Sequence, residues 1–72
     1  MRLEQAFGVN VRRVRKQRAL TQEALAHEVE IDVSYLGQIE RGERNPTLSL
    51  VQRIADALEV GPLILLASDD KA

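Results

Sequence analysis

Cysteine is absent from this chain, which removes disulfides and thiolate metal sites at once. That absence fits a reducing compartment without requiring one. Aromatic residues are scarce, only Phe7 and Tyr35, so the core of a chain that is 44% apolar must be aliphatic. No apolar run approaches the ~20 residues of a membrane span. An N-terminus with Glu4 and Asn10 does not read as a signal peptide. The one histidine, His27, has no second ligand at a metal-binding spacing, and it is expected at the surface. No Ser-His-Asp arrangement, GxGxxG or phosphate loop is present, and the carboxylate pair Asp69-Asp70 lies in a polar tail expected to fray. The expectation is a soluble, cytoplasmic protein that is no enzyme and uses no metal, cofactor or small-molecule ligand. Seventy-two residues allow one domain over 1–72, with a core at about 7–66.

The net charge of −1 hides a polarised layout. Residues 1–18 hold Arg2, Arg12, Arg13, Arg15, Lys16 and Arg18 against Glu4, a net +5. Residues 19–40 hold Glu23, Glu28, Glu30, Asp32 and Glu40 with no Lys or Arg, a net −5. Such a chain can present a basic face despite its acidic total, or the arginines can simply be the solvated side of a helix.

The hydrophobic pattern is helical almost throughout, and no segment alternates like a strand. Phe7, Val11 and Val14 mark the inner side of a first helix. Thr21 is an N-cap for a second helix, Gln22 to about Val29, with Ala24, Leu25 and Val29 expected inside. Asp32 caps a third, Val33 to about Arg41, which Gly42 ends by taking positive φ without strain. Thr47 caps a fourth, whose buried stripe is expected at Leu48, Val51, Ala55 and Leu58, widened by Leu50 and Ile54. Gly61-Pro62 stops it and starts a short fifth helix. The fold class is therefore all-α, a compact bundle of five helices.

Two short helices joined by a few residues, the second opening on small polar side chains, form a helix-turn-helix pattern. The detail goes further. Arg15, Thr21-Gln22, Leu25-Ala26, Ile39-Glu40-Arg41-Gly42 and Asn45-Pro46 stand at the spacing of recurring features of the Cro/repressor-type helix-turn-helix family, also called the XRE family. The chain resembles that family over about residues 7–66. One position departs: the turn between the second and third helices usually carries Gly, and here it is Glu30. A non-glycine residue at positive φ is strained by ~1 kcal/mol, so the turn is either rebuilt or tolerates the strain.

The resemblance implies a transcriptional regulator that binds double-stranded DNA, with the third helix in the major groove. Its N-terminal residues Asp32, Val33 and Ser34, with Gln38 one turn on, would then face base edges. Gln38 can bond bidentately to adenine, Ser34 can donate or accept, and Val33 can pack on a thymine methyl. Asp32 either caps the helix alone or also meets a cytosine amino group. Gly37, placed away from the inner stripe, would let the backbone lie close to DNA. Phosphate contacts would come from Gln22 at a helix N-terminus and from Arg41, Arg44 and Asn45 after the recognition helix; for the arginines the alternative is a solvated loop charge. Arg15 and Glu40 are implied to be a buried or half-buried structural ion pair. The Leu63 to Leu66 run is too apolar for a monomer surface, and the family places this end beside a two-fold axis. Val60, Leu63, Ile64 and Leu66 are accordingly expected in a homodimer interface that reads a pseudo-palindromic operator. The short chain suits a phage-like repressor or a restriction–modification controller protein. The competing reading is an antitoxin-like protein-interaction module on the same scaffold, which the acidic total and the Leu-rich fifth helix would suit.

Overall fold

Five helices follow from these local signals in the computed structural model, which describes residues 2–68; the tail residues 69–72, including Asp69-Asp70, lie outside the described residues. They are α1 (Leu3–Gln17), α2 (Gln22–Val29), α3 (Val33–Glu40), α4 (Leu48–Leu58) and α5 (Pro62–Leu66). No described residue is in a strand. The caps are those the sequence offers. Thr21 accepts from the Ala24 N–H, Asp32 from that of Ser34 and Thr47 from that of Leu50, while Pro62 opens α5. Each hydroxyl or carboxylate satisfies one of the orphan N–H groups of a first turn.

The C-terminal ends share one device. After α1, α2, α3 and α4 the chain turns through a left-handed residue, respectively Ala19, Glu30, Gly42 and Glu59. The next residue's N–H then reaches back over the last turn, as in Leu20 to the Arg15 carbonyl and Ile31 to the Ala26 carbonyl. Only at α3 is the residue a glycine. The turn at Glu30 is thus not rebuilt: it keeps the geometry a glycine would favour, at φ 62°. Ala19 (φ 58°) and Glu59 (φ 60°) carry the same strain, of order 1 kcal/mol each.

α1 packs across α3 and α5, α2 joins α3 and α4, and α4 closes on α5. The core between them is aliphatic around the single Phe7, with Val11, Leu36, Ile39, Ile54, Leu58 and Leu65 sealed from solvent. Two sequence expectations fail at the edges of their stripes. Ala24 is exposed and Ala26 is buried in its place, because α2 turns the Leu25–Ala26–Val29 side inward. Leu48 is 82% exposed, whereas Leu50, expected to widen the stripe, is buried. Residue 48 is the first of α4, where the stripe overhangs the neighbouring helices.

Three features knit the helices in ways the sequence pattern does not announce. Gly8 is the crossing point of α1 and α3: a Cβ there would stand 2.3 Å from the Ile39 carbonyl oxygen and 2.7 Å from that of Glu40. Asn10, buried among apolar neighbours, donates to the carbonyls of Leu65 (2.9 Å) and Ala67 (2.7 Å), so α1 ties down the end of α5. Arg53 of α4 donates to the Val29 carbonyl at the end of α2. A buried amide left without these partners would cost ~1–3 kcal/mol.

Candidate nucleic-acid interface

Short side chains stand exposed where α2 begins and along the outer side of α3. Val33 and Ser34 are exposed in the first turn of α3, and Gln38 is half-buried one turn later. Asp32 is a cap in full: its Oδ1 accepts both the Ser34 N–H (3.0 Å) and the Ser34 hydroxyl (3.1 Å). That leaves the Ser34 oxygen as an acceptor pointed at solvent. Glycine 42 reverses the chain after α3, and Arg41, Glu43, Arg44 and Asn45 follow as an exposed loop.

Beneath this surface lies a charged centre. Arg15 and Glu40 are both 7% exposed and meet as a two-pronged pair, Nε to Oε2 at 2.7 Å and Nη2 to Oε1 at 3.1 Å. The remaining Arg15 nitrogen, Nη1, donates to the Leu20 carbonyl at 2.8 Å. Gln22 Nε2 donates to Glu40 Oε1 at 2.9 Å. Every buried side-chain nitrogen and oxygen among the described residues has a partner. The pair therefore links the end of α1, the start of α2 and the end of α3, fixing how the two helices of the motif sit on each other. A planar guanidinium facing a carboxylate edge-on suits such a site, because one geometry satisfies both.

Gln22 is thus held by Glu40 through its side-chain amide, at the start of a helix whose Ala24 N–H is already taken by Thr21. Its side chain lies beside Gly37, where an added Cβ would come 3.8 Å from the Gln22 amide and 3.4 Å from Arg41 Nη1. Gly37 is buried under these two side chains, so its space does not open to an approaching partner. The physical reason is neighbour length: Gln22 and Arg41 fold over the gap from two sides.

The loop cations are already engaged within the protein. Arg41 makes a two-pronged pair with Glu43, Nε to Oε2 at 3.0 Å and Nη2 to Oε1 at 3.3 Å. The hydrogen bonds between them raise the Arg41 pKa and hold the Glu43 carboxyl below its ordinary value. Arg44 lies over the Tyr35 ring, 5.2 Å from its centroid, and donates from Nη1 to Gln38 Oε1 at 3.2 Å. Sequence reading missed both Glu43 and Tyr35 as partners. Arg-x-Glu is a short-range signal that could have revealed the first; nothing local foretells the second. Arg12, Arg13 and Lys16 are exposed on α1, whereas Arg15 turns inward and Arg18 reaches Glu59 at 3.5 Å.

The far end of the molecule carries the other candidate surface. In α5, Leu65 is buried, Leu63 and Ile64 are 79% and 51% exposed, and Leu66 and Val60 are half-buried. No helix among the described residues is long and apolar enough to cross a membrane.

Comparison with known proteins adds an independent finding. Residues 11–65 match the model of a helix-turn-helix family, HTH_3. The chain is 43% identical over 54 residues to an uncharacterized HTH-type transcriptional regulator, YazB, of Bacillus subtilis, covering 75% of this chain and 78% of that one. It is 41% identical over 61 residues to the control protein C.BamHI of Bacillus amyloliquefaciens, covering 83% and 75%. Its fold superimposes on the crystal structure of the restriction-modification controller protein C.AhdI of Aeromonas hydrophila with a TM-score of 0.82. That match has 39% identity and covers 86% of this chain and 94% of the other.

Proposed function

The chain belongs to the helix-turn-helix family of transcriptional regulators, and from that premise we propose that it binds a pseudo-palindromic operator in double-stranded DNA as a homodimer, with α3 in the major groove. The observation that carries this reading is the outer side of α3. It presents Val33, Ser34 and Gln38 to solvent on a helix whose seat is fixed from below by Arg15 and Glu40. A rigid helix with short polar side chains at its N-terminal end can follow base edges, which carry a distinct donor and acceptor pattern in the major groove. Gln22 and the α2 N-terminus, with Arg41, Arg44 and Asn45 on the other flank, would meet the phosphates on either side. Asp32 stays at the edge of this surface as the cap of α3.

One copy offers few base contacts, so useful specificity calls for two. The exposed Leu63 and Ile64, with Val60 and Leu66, supply an apolar patch for a symmetric contact. Burying one leucine contributes ~1.5–3 kcal/mol, and two-fold symmetry uses each residue twice. The two recognition helices would then address half-sites one helical turn apart, ~34 Å.

Selection of bound sequences from a random duplex pool, followed by a salt titration on the winner, tests the proposal. Enrichment of an inverted repeat and a steep loss of affinity with salt are expected, since each neutralised phosphate releases counterions. Binding to no duplex would leave the protein-interaction module as the better account, and equal binding to all duplexes would refute sequence-specific recognition.

A further inference from the structure

Gln38 does not face the groove with both halves of its amide free. We infer that Arg44 and Tyr35 act as positioning residues that bias Gln38 toward donating, so that it favours guanine over adenine in each half-site. The inference rests on the proposed placement of α3 in the major groove and deepens it by naming the base.

The chain of contacts runs from the core outward. Tyr35 is partly buried and packed against the core cluster, which fixes its ring. The left-handed turn at Gly42 brings the following loop back over α3, and the Arg44 guanidinium settles over that ring at 5.2 Å. A cation over an aromatic face is attracted by the ring's quadrupole, and a fixed ring limits where the cation can sit. From there Nη1 reaches Gln38 at 3.2 Å. A guanidinium has donors and no acceptor, so the amide atom facing it must be the carbonyl oxygen. That bond takes one lone pair of Oε1 and leaves the two hydrogens of Nε2 to be donated.

That orientation decides the base. Reading adenine with both ends of a glutamine needs Oε1 to accept from the adenine amino group while Nε2 donates to N7. Here one lone pair of Oε1 is already bonded to a cation, and the positive charge beside it disfavours a second donor such as the adenine amino group while favouring acceptors. Guanine presents N7 and O6, both acceptors, at the same edge. Donor hydrogens match it without disturbing Arg44.

The experiment begins with the operator obtained by selection. The position whose preference disappears in Gln38→Ala marks the base that Gln38 reads. Affinities are then measured for all four base pairs at that position with the wild type, Arg44→Ala, Tyr35→Leu and Tyr35→Phe. The wild type should favour guanine over adenine by about tenfold, within the range of a well-made base contact. Arg44→Ala should weaken binding in general and also collapse or invert that ratio. Tyr35→Leu should shift the ratio the same way, and Tyr35→Phe, which keeps the ring face, should preserve it. A wild-type preference for adenine or a pyrimidine overturns the inference, as does a guanine preference that Arg44→Ala leaves intact. If Gln38→Ala alters no position at all, the placement of α3 itself fails and the inference falls with it.

Discussion

Adding one methyl group at each of two helical glycines should move stability in opposite directions. Replacing glycine by alanine inside a helix favours the helix by ~0.8–1 kcal/mol when nothing obstructs the new Cβ. At Gly37 the nearest atom would be Arg41 Nη1 at 3.4 Å, an ordinary contact with the tip of a flexible side chain. At Gly8 the Cβ would stand 2.3 Å from one backbone carbonyl oxygen and 2.7 Å from the next. Those oxygens belong to α3 and cannot swing aside, so α1 and α3 must part by roughly 1 Å, which forfeits about half of the dispersion energy of their contacts. Overpacking of this kind costs ~1–3 kcal/mol or somewhat more, and the clash with two rigid groups puts Gly8 at the upper end. Net of the helical gain, Gly8→Ala should lose about 2 kcal/mol. Gly37→Ala should gain slightly under 1 kcal/mol. In a domain of this size 1 kcal/mol moves Tm by roughly 4–8 °C, so the two midpoints should separate by well over 10 °C. Thermal and urea unfolding followed by far-UV circular dichroism would show it. A Gly8→Ala protein as stable as the parent would refute the close-approach reasoning, and a destabilised Gly37→Ala would refute the assignment of free space there.

The buried pair should behave as a unit: Arg15→Ala or Glu40→Ala alone should each cost ~3–5 kcal/mol by stranding a charge, and a double-mutant cycle with coupling under ~0.5 kcal/mol would remove the claim. Glu43→Gln should release Arg41 to the phosphates, tightening DNA binding and steepening its salt dependence. Because the hydrogen bonds from Arg41 lower the Glu43 pKa, the pair is intact at neutral pH, and its contribution is lost only as pH falls through that lowered value. Glu43→Gln should therefore bind DNA more tightly than the wild type at neutral pH; equal affinity there would argue against the pair as a restraint on Arg41. Leu63→Glu and Ile64→Glu should weaken self-association in sedimentation equilibrium while leaving the melting of the monomer nearly unchanged, and a wild type that stays monomeric at high micromolar concentration would end the dimer proposal.

Legibility along the chain followed the range of the interactions concerned. Thr21, Asp32 and Thr47 cap their helices as read, because a cap bonds an N–H only two or three residues away, and Pro62 opens α5 because its fixed φ suits the first helical position. Gly42 and Glu30 sit at turns whose left-handed backbone is likewise a local matter. The matching ends at Ala19 and Glu59 went unread, since neither residue type advertises positive φ. The Arg15–Glu40 pair, 25 residues apart, was legible only through the family resemblance and not through any spacing.

Sequence alone determined the helices, their caps and the polar character of the outer side of α3, all set by neighbours within one or two turns. Tertiary structure decided the rest. An apolar stripe covers more of a helix than its neighbours can hide, so the packing of whole helices chose Ala26 over Ala24 and left Leu48 outside. Gly8 matters because another helix's carbonyls arrive there, and Asn10 because the end of α5 does, 55 residues away in the chain. The engagement of Gln38 by Arg44 over the Tyr35 ring belongs to the same class. It exists only once the turn at Gly42 and the core beneath Tyr35 have fixed three side chains in one place.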